Sequence, residues 1–480
     1  MKKPKFCLLF LVLGILLANM SYAVHYPLYL IRPKANLWSG KDRIYKAYPG
    51  LEYNIRAAAI GGEYPYRYTL SNEPSGMSID EHTGEITWSN PQSSASNITV
   101  RVTDQDGDYV EGTWSITVTT SGFKFMDDDG SDSGNGTVSQ PWKTISKLAS
   151  SASTTDIVYW REGTWTGQQN PSNYDNWIGR GDNSIPRIWI GYPSETPIID
   201  LNLNGNKIGI GTAVYFDNMT FRNAVDIMFY VASNVSYYCF RRLTLSNIDR
   251  DGRSNKSFFR FEAADYGQYF VLQDSTLSDT ESEVKGLSIY HTFGMLLEDN
   301  TLSSIGHTGF DLKEGVRQFT VRGNHFDGIT SGNGAGPGLL NSADGQKSYG
   351  EWCFNYCEAT SQGGVALRIP ADSAFDPGVF YVYRNTIYGW INFAGLDSGD
   401  GPYYFENNVI INSDSGDHIN GSGTNIHITD NLVGNASDNI IDPVGGNLTQ
   451  EYLVFLGTRG WETSIKKAPK SPTGLTVIGN

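Results

Sequence analysis

The chain has few cysteines, almost no helical periodicity and only one long apolar run. Four of its 480 residues are cysteine, too few for a disulfide-stapled scaffold. The neighbours of Cys239, Cys353 and Cys357 are apolar and strand-like, so these thiols read as core residues. A Cys353–Cys357 bond would have to close within one strand, and no zinc-ligand spacing is present. Basic residues are also in short supply, 36 against 51 acidic. That balance excludes nucleic acid as a partner but leaves room for a local basic cleft that takes a polyanionic sugar. The one apolar run is Phe6 to Leu17, after Lys2, Lys3 and Lys5 and before Ser21-Tyr22-Ala23. It reads as a secretory signal over residues 1–23. Cys7 lies too close to the start to be a lipidated cysteine. The expectation is a secreted protein, extracellular or periplasmic, soluble, monomeric and without a membrane span. Without the signal, 33 basic residues face 51 acidic ones, a net charge of −18.

Turn residues and aromatics are plentiful. There are 53 glycines, and Phe, Trp and Tyr make up 13% of the chain. With short alternating runs throughout, the fold class is all-β. The composition shifts near Thr119–Gly122, which divides the mature chain into residues 24–120 and 121–460, with a tail over 461–480.

Residues 24–120 hold about seven short strands, as a β-sandwich requires. One hairpin turns around His82-Thr83-Gly84 and another at Asp106-Gly107. The residues "GMSIDEHTGEITW" and "VRVTDQDGD" resemble the Ig-like, cadherin-like modules of bacterial surface and secreted proteins. The composition change predicts a module that can be removed. Asp104, Asp106 and Asp108 read as a polar turn rather than a calcium site.

The second segment opens on an acidic Gly-rich loop, then Pro141-Trp142-Lys143-Thr144-Ile145, a short amphipathic helix to about Ser150, and a strand from Asp156 to Arg161. Asp127, Asp129 and Asp132 have something of a calcium loop's spacing, without the later glutamate of an EF-hand. Calcium is the one cofactor they suggest.

The main signal beyond this point is a repeat. Asn300, Asn324, Asn355, Asn385, Asn408 and Asn431 recur at steps of 24, 31, 30, 23 and 23 residues, each in a similar strand context. Strand repeats of this length form a solenoid. An asparagine at one corner of every coil bonds to the asparagine of the next, and apolar residues two places on fill the interior. The excess residues of the long steps must loop outward, near Thr330–Gly338, Asp344–Gly350 and Ala371–Gly378. A further excess precedes Ser275, around Asp249–Ser254 or Ala263–Gly267.

Each coil carries an earlier strand: "FRFEA", "LSIYH", "FDLKE", "VALRI" and "INFAG". Aligned, they give one outward column of Arg260, Ser288, Asp311, Ala366 and Asn392, and another of Glu262, Tyr290, Lys313, Arg368 and Ala394. The coil at "GLLNSA" aligns poorly and brings Asn341 or Ser342. Coils lie about 4.8 Å apart, so Lys313 and Arg368 would stand about 10 Å apart. Such a mixed column beside long insertions suits a groove for an acidic polysaccharide. For β-elimination, Lys313 would be the base, Arg368 the partner of the uronate carboxylate, and Tyr290 or His291 the proton donor to the leaving sugar. For hydrolysis, Asp311 would pair with Glu262 or Glu314. Arg260, Glu262, Glu314, Asn392 and Trp352 are the remaining candidates for sugar contact. In an enzyme and in a noncatalytic glycan binder or adhesin alike, Trp177, Trp352, Trp390 and Tyr403 would stack on sugar rings.

The repeat and this Lys/Arg pattern resemble the pectate-lyase-like superfamily of right-handed parallel β-helices, which includes alginate and chondroitin lyases. The resemblance implies a helix that plugs the coil, lysine paired with arginine on nearby coils, and in some members calcium. No adjacent-aspartate motif of polygalacturonase-type hydrolases is present.

Overall fold

The computed structural model describes residues 26–435 apart from 167–184, 204–206, 232–235, 250–255, 262–266, 314–315, 331–335, 341–347, 360–363, 370–376, 394–400, 413–417, 422–424 and 430, together with the strand Thr476–Ile478. The expected signal segment, Trp177, Glu262, Glu314, Asn341 and Ser342 lie outside the described residues. Among the described residues no helix is long and apolar enough to cross a membrane.

From Phe123–Met126 onward the chain winds as an all-β parallel solenoid. One coil shows the plan. Arg317–Arg322 belongs to the first ladder, Asn324 turns the corner, His325–Ile329 belongs to the second, and Gly338–Leu340 to the third. Among the described residues the third ladder is a nine-stranded sheet. The first two merge because Val214–Val225 and Ser236–Asp249 run through the corner unbroken. Within the expected tail, Thr476–Ile478 returns antiparallel to Asn431–Val433.

The interior follows from alternation along each strand. On the second ladder Trp165, Ile199, Phe221, Leu245, Leu277, Leu302 and Phe326 stand directly in register and all point into the core. Each such side chain stabilises the fold by roughly 1.5–3 kcal/mol on burial. The three cysteines are free and buried, as their surroundings predict. Trp352 and Tyr403 are buried too, 1% and 0% exposed, which corrects their assignment as sugar-stacking residues. The Trp352 ring stacks on Phe326 at 5.6 Å and has no surface to offer.

The asparagine corners form one continuous ladder. Asn324 donates from Nδ2 to Asn355 Oδ1 at 2.9 Å and to the carbonyls of Leu297 and Arg322. Its own Oδ1 accepts from the backbone N and Nδ2 of Asn300. The same contact links Asn355 to Asn385, Asn385 to Asn408, and Asn408 to Asn431. Asn324→Leu should cost about 1–3 kcal/mol for each buried group left unpaired. Calorimetry should record a clear fall in Tm; an unchanged Tm would mean the ladder does not hold the corner.

At the N-terminal end, Ile145–Ser151 is helical, started by Thr144, whose side chain accepts from Lys147 N. Ile145 and Leu148 bury into the first coils beside Trp142 and Trp160, so the helix closes the open end of the solenoid.

The preceding residues form the expected sandwich. A three-stranded sheet of Tyr53–Arg56, Met77–Ile79 and Glu85–Trp88 packs on four strands, Lys46–Ala47, Arg67–Ser71, Ala95–Thr103 and Tyr109–Val118. The strand Tyr29–Arg32 pairs with Ala58–Ile60 alongside.

This sandwich is not a free module. It lies on the outer face of the first ladder, and the cores are shared. Tyr64, Tyr66 and Tyr68 cluster with Cys353, Phe354, Tyr381 and Tyr383, while Ile31, Ala58 and Ile60 cluster with Tyr215, Cys239, Val271 and Leu296. Beside the apolar contacts runs a buried register of Asp217, Arg241, Gln273, Glu298 and Arg322. Arg56 enters it from the sandwich and meets Asp274 and Asp299 at 2.5 Å each and Glu298 at 3.4 Å. Arg322 bonds Glu298 at 2.7 Å and lies over the Tyr64 and Tyr66 rings. Outward alternation therefore does not mean contact with water on this face.

Candidate functional site

The third ladder carries the charged column expected from the sequence. Arg260, Ser288 and Asp311 stand in register on successive strands. The next positions are Leu339, Arg368 and Asn392. Arg368 thus continues the Asp311 column rather than that of Lys313, a correction of one alignment step. The cause is an irregularity between Val365 and Leu367. Ala366 and Leu367 both turn inward there, which breaks the alternation.

Asp311 is the centre of the group, and it is wholly buried rather than solvated. Its Oδ2 accepts from Lys285 Nζ at 2.5 Å and lies 3.4 Å from Lys313 Nζ. Its Oδ1 has no hydrogen-bond partner among the described residues, and neither has the buried Ser288 Oγ. With no exposed surface, Asp311 cannot itself touch a glycosidic oxygen. This removes it from the catalytic acid or base role that hydrolysis would require.

Lys313 is half-buried and faces outward. Its Nζ donates to Tyr290 Oη at 3.0 Å and lies 5.1 Å from the centre of that ring. Tyr290 is followed by His291, whose ring is 6.4 Å away. Burial would lower the Lys313 pKa, but Asp311 and the Tyr290 hydroxyl overcome it and hold the ammonium above its ordinary range. Lys313 is therefore a fixed cation at neutral pH, not the base anticipated from the sequence. Lys285 moves the other way: burial, with Lys313 close by, brings its pKa down despite Asp311.

Two members of the group went unnoticed in the sequence. Lys285 lies before the alignable "LSIYH" and reaches forward one coil to Asp311. His307 lies in the turn before Gly309 and bonds Thr308 Oγ1 through Nδ1 at 2.9 Å. Burial and then Lys285 push its pKa below the ordinary imidazole value, so the ring is neutral at pH 7. Its position among Lys285, Asp311 and Lys313 had no repeat signature to reveal it. Arg260, half-buried, lies within electrostatic reach of Tyr290 and Asp311.

The aspartates at the start of the solenoid divide. The carboxylates of Asp127, Asp128 and Asp129 lie within 4.8 Å of one another. Asp132, expected among them, instead accepts from the backbone of Lys143 and Thr144 and from Thr144 Oγ1. It fixes the start of the helix and is not one of the clustered three. Two of the other three are engaged as well: Asp127 Oδ1 accepts from Asp129 N and Asp128 Oδ2 from Thr164 N. Of the three aspartates singled out in the sequence, Asp127 and Asp129 stay together, with Asp128 in the place expected of Asp132.

Residues 43–119 match the "Putative Ig domain" family. No curated protein matches the chain. Among solved structures, a rhamnogalacturonan lyase aligns at 15% identity and a TM-score of 0.28, covering 61% of this chain and 75% of its own. A mannuronic acid-specific polysaccharide family 6 lyase from human gut microbiota aligns at 12% identity and a TM-score of 0.27, over 57% and 80% of the two chains. The catalytic domain of a GH87 α-1,3-glucanase aligns at 11% identity and a TM-score of 0.18, over 79% and 85%. Likenesses this distant carry no argument about chemistry, which rests on the residues themselves.

Proposed function

We propose that this protein cleaves an acidic, uronate-containing polysaccharide by β-elimination on the outer face of the third ladder. The observation that carries the reading is Lys313, a cation held between a buried carboxylate and a tyrosine hydroxyl at a half-open surface. In β-elimination, charge builds on the uronate carboxylate as the neighbouring C–H bond breaks. A cation fixed in advance at that place stabilises the transition state. Lys313 and Arg260 supply it. His307, kept neutral by its surroundings, takes the proton. The C–H electron pair becomes the new carbon–carbon double bond, and the bond to the leaving sugar oxygen breaks. Tyr290 accepts a hydrogen bond from Lys313, so its own proton is directed elsewhere and is delivered to that oxygen. Asp311 and Lys285 touch no substrate in this scheme; they hold Lys313 in place and charged.

Incubation with polygalacturonate, alginate, chondroitin sulfate and hyaluronate tests the reading. New unsaturated ends, absorbing in the ultraviolet, should appear with one of the four. Reducing ends without ultraviolet absorbance would assign hydrolysis. Retention on the glycan with neither signal would assign a binder.

A further inference from the structure

Next to the third ladder, where each coil turns into the first, lies a group of aromatic rings that the scheme above does not use. Tyr237 and Tyr269 occupy the same register on neighbouring strands and stack at 5.1 Å. The next position in that column is Gly294, and a Cβ there would come within 2.8 Å of the Tyr269 ring. The glycine lets the ring lie flat along the coils. The sandwich adds to the stack. Tyr29 lies parallel to Tyr269 at 5.8 Å, interplanar angle 8°, and their hydroxyls meet at 2.7 Å. Lys34 lies over both rings, 4.2 Å from the centre of Tyr29 and 5.6 Å from that of Tyr269. Its Nζ donates to Tyr29 Oη and to the Leu30 carbonyl, which leaves the third N–H for a ligand. Tyr29 is 37% exposed, one of few large apolar side chains that open to solvent among the described residues.

We infer that Tyr29 and Lys34 of the sandwich, with Tyr237 and Tyr269 of the solenoid, form a subsite for the same anionic polysaccharide, next to the proposed cleavage site. This rests on the reading of the third ladder given above. Three observations support it. The first is continuity: Tyr290 is three residues before Phe293, whose ring meets Tyr269 edge-on at 6.4 Å. Three residues span at most about 10 Å, which puts the rings within the reach of a short oligosaccharide from Tyr290. The second is chemistry. Sugar rings stack on aromatic faces, and a lysine beside them selects for a carboxylate or sulfate. The third is charge. In a protein of net charge −15, Lys34 brings a cation to the rings as Arg260 and Lys313 do to the third ladder. Tyr29 and Lys34 also precede the segment that matches the Ig family, residues 43–119. They are thus an addition to that module rather than part of its framework.

The test compares Tyr29→Ala/Lys34→Gln with the wild type on whichever of the four polymers the wild type cleaves. KM on the polymer should rise about tenfold, with kcat within about twofold, because the subsite binds substrate and transition state alike. KM for the shortest fragment the wild type cleaves should move less, since that fragment does not reach the rings. Tyr29→Phe/Lys34→Arg, which keeps ring and charge, should recover most of the affinity. Circular dichroism and Tm check that both variants are folded. An unchanged KM on polymer in the folded Ala/Gln variant overturns the subsite and leaves the cleavage site standing. Equal losses on polymer and shortest fragment also overturn it, since they mark a general disturbance. A wild type that neither binds nor cleaves any of the four overturns the third-ladder reading, and the subsite with it.

Discussion

Arg56→Ala should destabilise the protein by about 3–5 kcal/mol, the cost of removing one partner from a buried ionic group. Arg56 is the only sandwich residue that meets Asp274, Glu298 and Asp299 together among the described salt bridges. Its side chain is 2% exposed, that of Glu298 1%. Without the guanidinium, Glu298 keeps Arg322 but loses Arg56, and Asp274 and Asp299 lose the same cation. Denaturant unfolding should show the loss, and limited proteolysis should begin to cut between the sandwich and the coils. A change below about 1 kcal/mol would place Arg56 with ordinary surface pairs. Excision of the sandwich, which the composition change at Thr119–Gly122 seemed to permit, is a harsher form of the same experiment. It uncovers Tyr215, Cys239, Val271 and Leu296 in one register, with Tyr381 further along the column beyond Thr320 and Glu351. Such a strip favours aggregation over a soluble truncated enzyme.

Lys313→Ala should reduce turnover by about 10²–10³-fold, the typical effect of removing one preorganised group from a charge-stabilising site. Affinity for the polymer should fall as well, because the ammonium meets the carboxylate before and during reaction. The pH profile separates the roles. A base whose pKa is lowered is active above that pKa, so the acid limb should lie below 6.5, the ordinary imidazole value from which His307 is shifted down. A cation whose pKa is raised stays charged beyond 10.5, so Lys313 should impose no alkaline fall until above that value. His307→Ala should lose about 10²–10⁴-fold in rate, as expected for a general base. If Lys313 were the base instead, activity would climb with pH toward 10.5 and show no acid limb near neutrality. That result, or full activity in Lys313→Ala, would move the chemistry to other residues.

The asparagine spacing made the solenoid legible, because a corner that must bond to its neighbour tolerates one residue type and therefore repeats visibly. The interior was legible for a similar reason: Leu277, Leu302 and Phe326 occupy one column and have to be apolar. The surface was not. Asp311 alternates with Phe310 and Leu312 as a solvated residue would, and nothing local reveals that Lys285 reaches it from the previous coil. Arg368 was misplaced because two inward residues in succession, Ala366 and Leu367, look like ordinary alternation until the strand is paired. The cover over the first ladder depends on contacts between residues more than 200 positions apart, such as Arg56 and Asp274. No short window of sequence contains both.

A bare solenoid is close to a one-dimensional stack, in which each coil is held by its neighbours and the ends come off first. The sandwich changes that here. It grips coils from Phe123 to Tyr404 along one side, so a coil in that span cannot open without loosening a body that also holds the others. It works as a splint. For these coils, stability becomes a property of the whole span rather than a sum over steps, whereas the coils after Tyr404 keep the independence of an ordinary stack. Arg260, Lys285, Lys313 and Tyr290 all lie within the splinted span, so the proposed chemistry is carried on the part of the molecule least free to breathe.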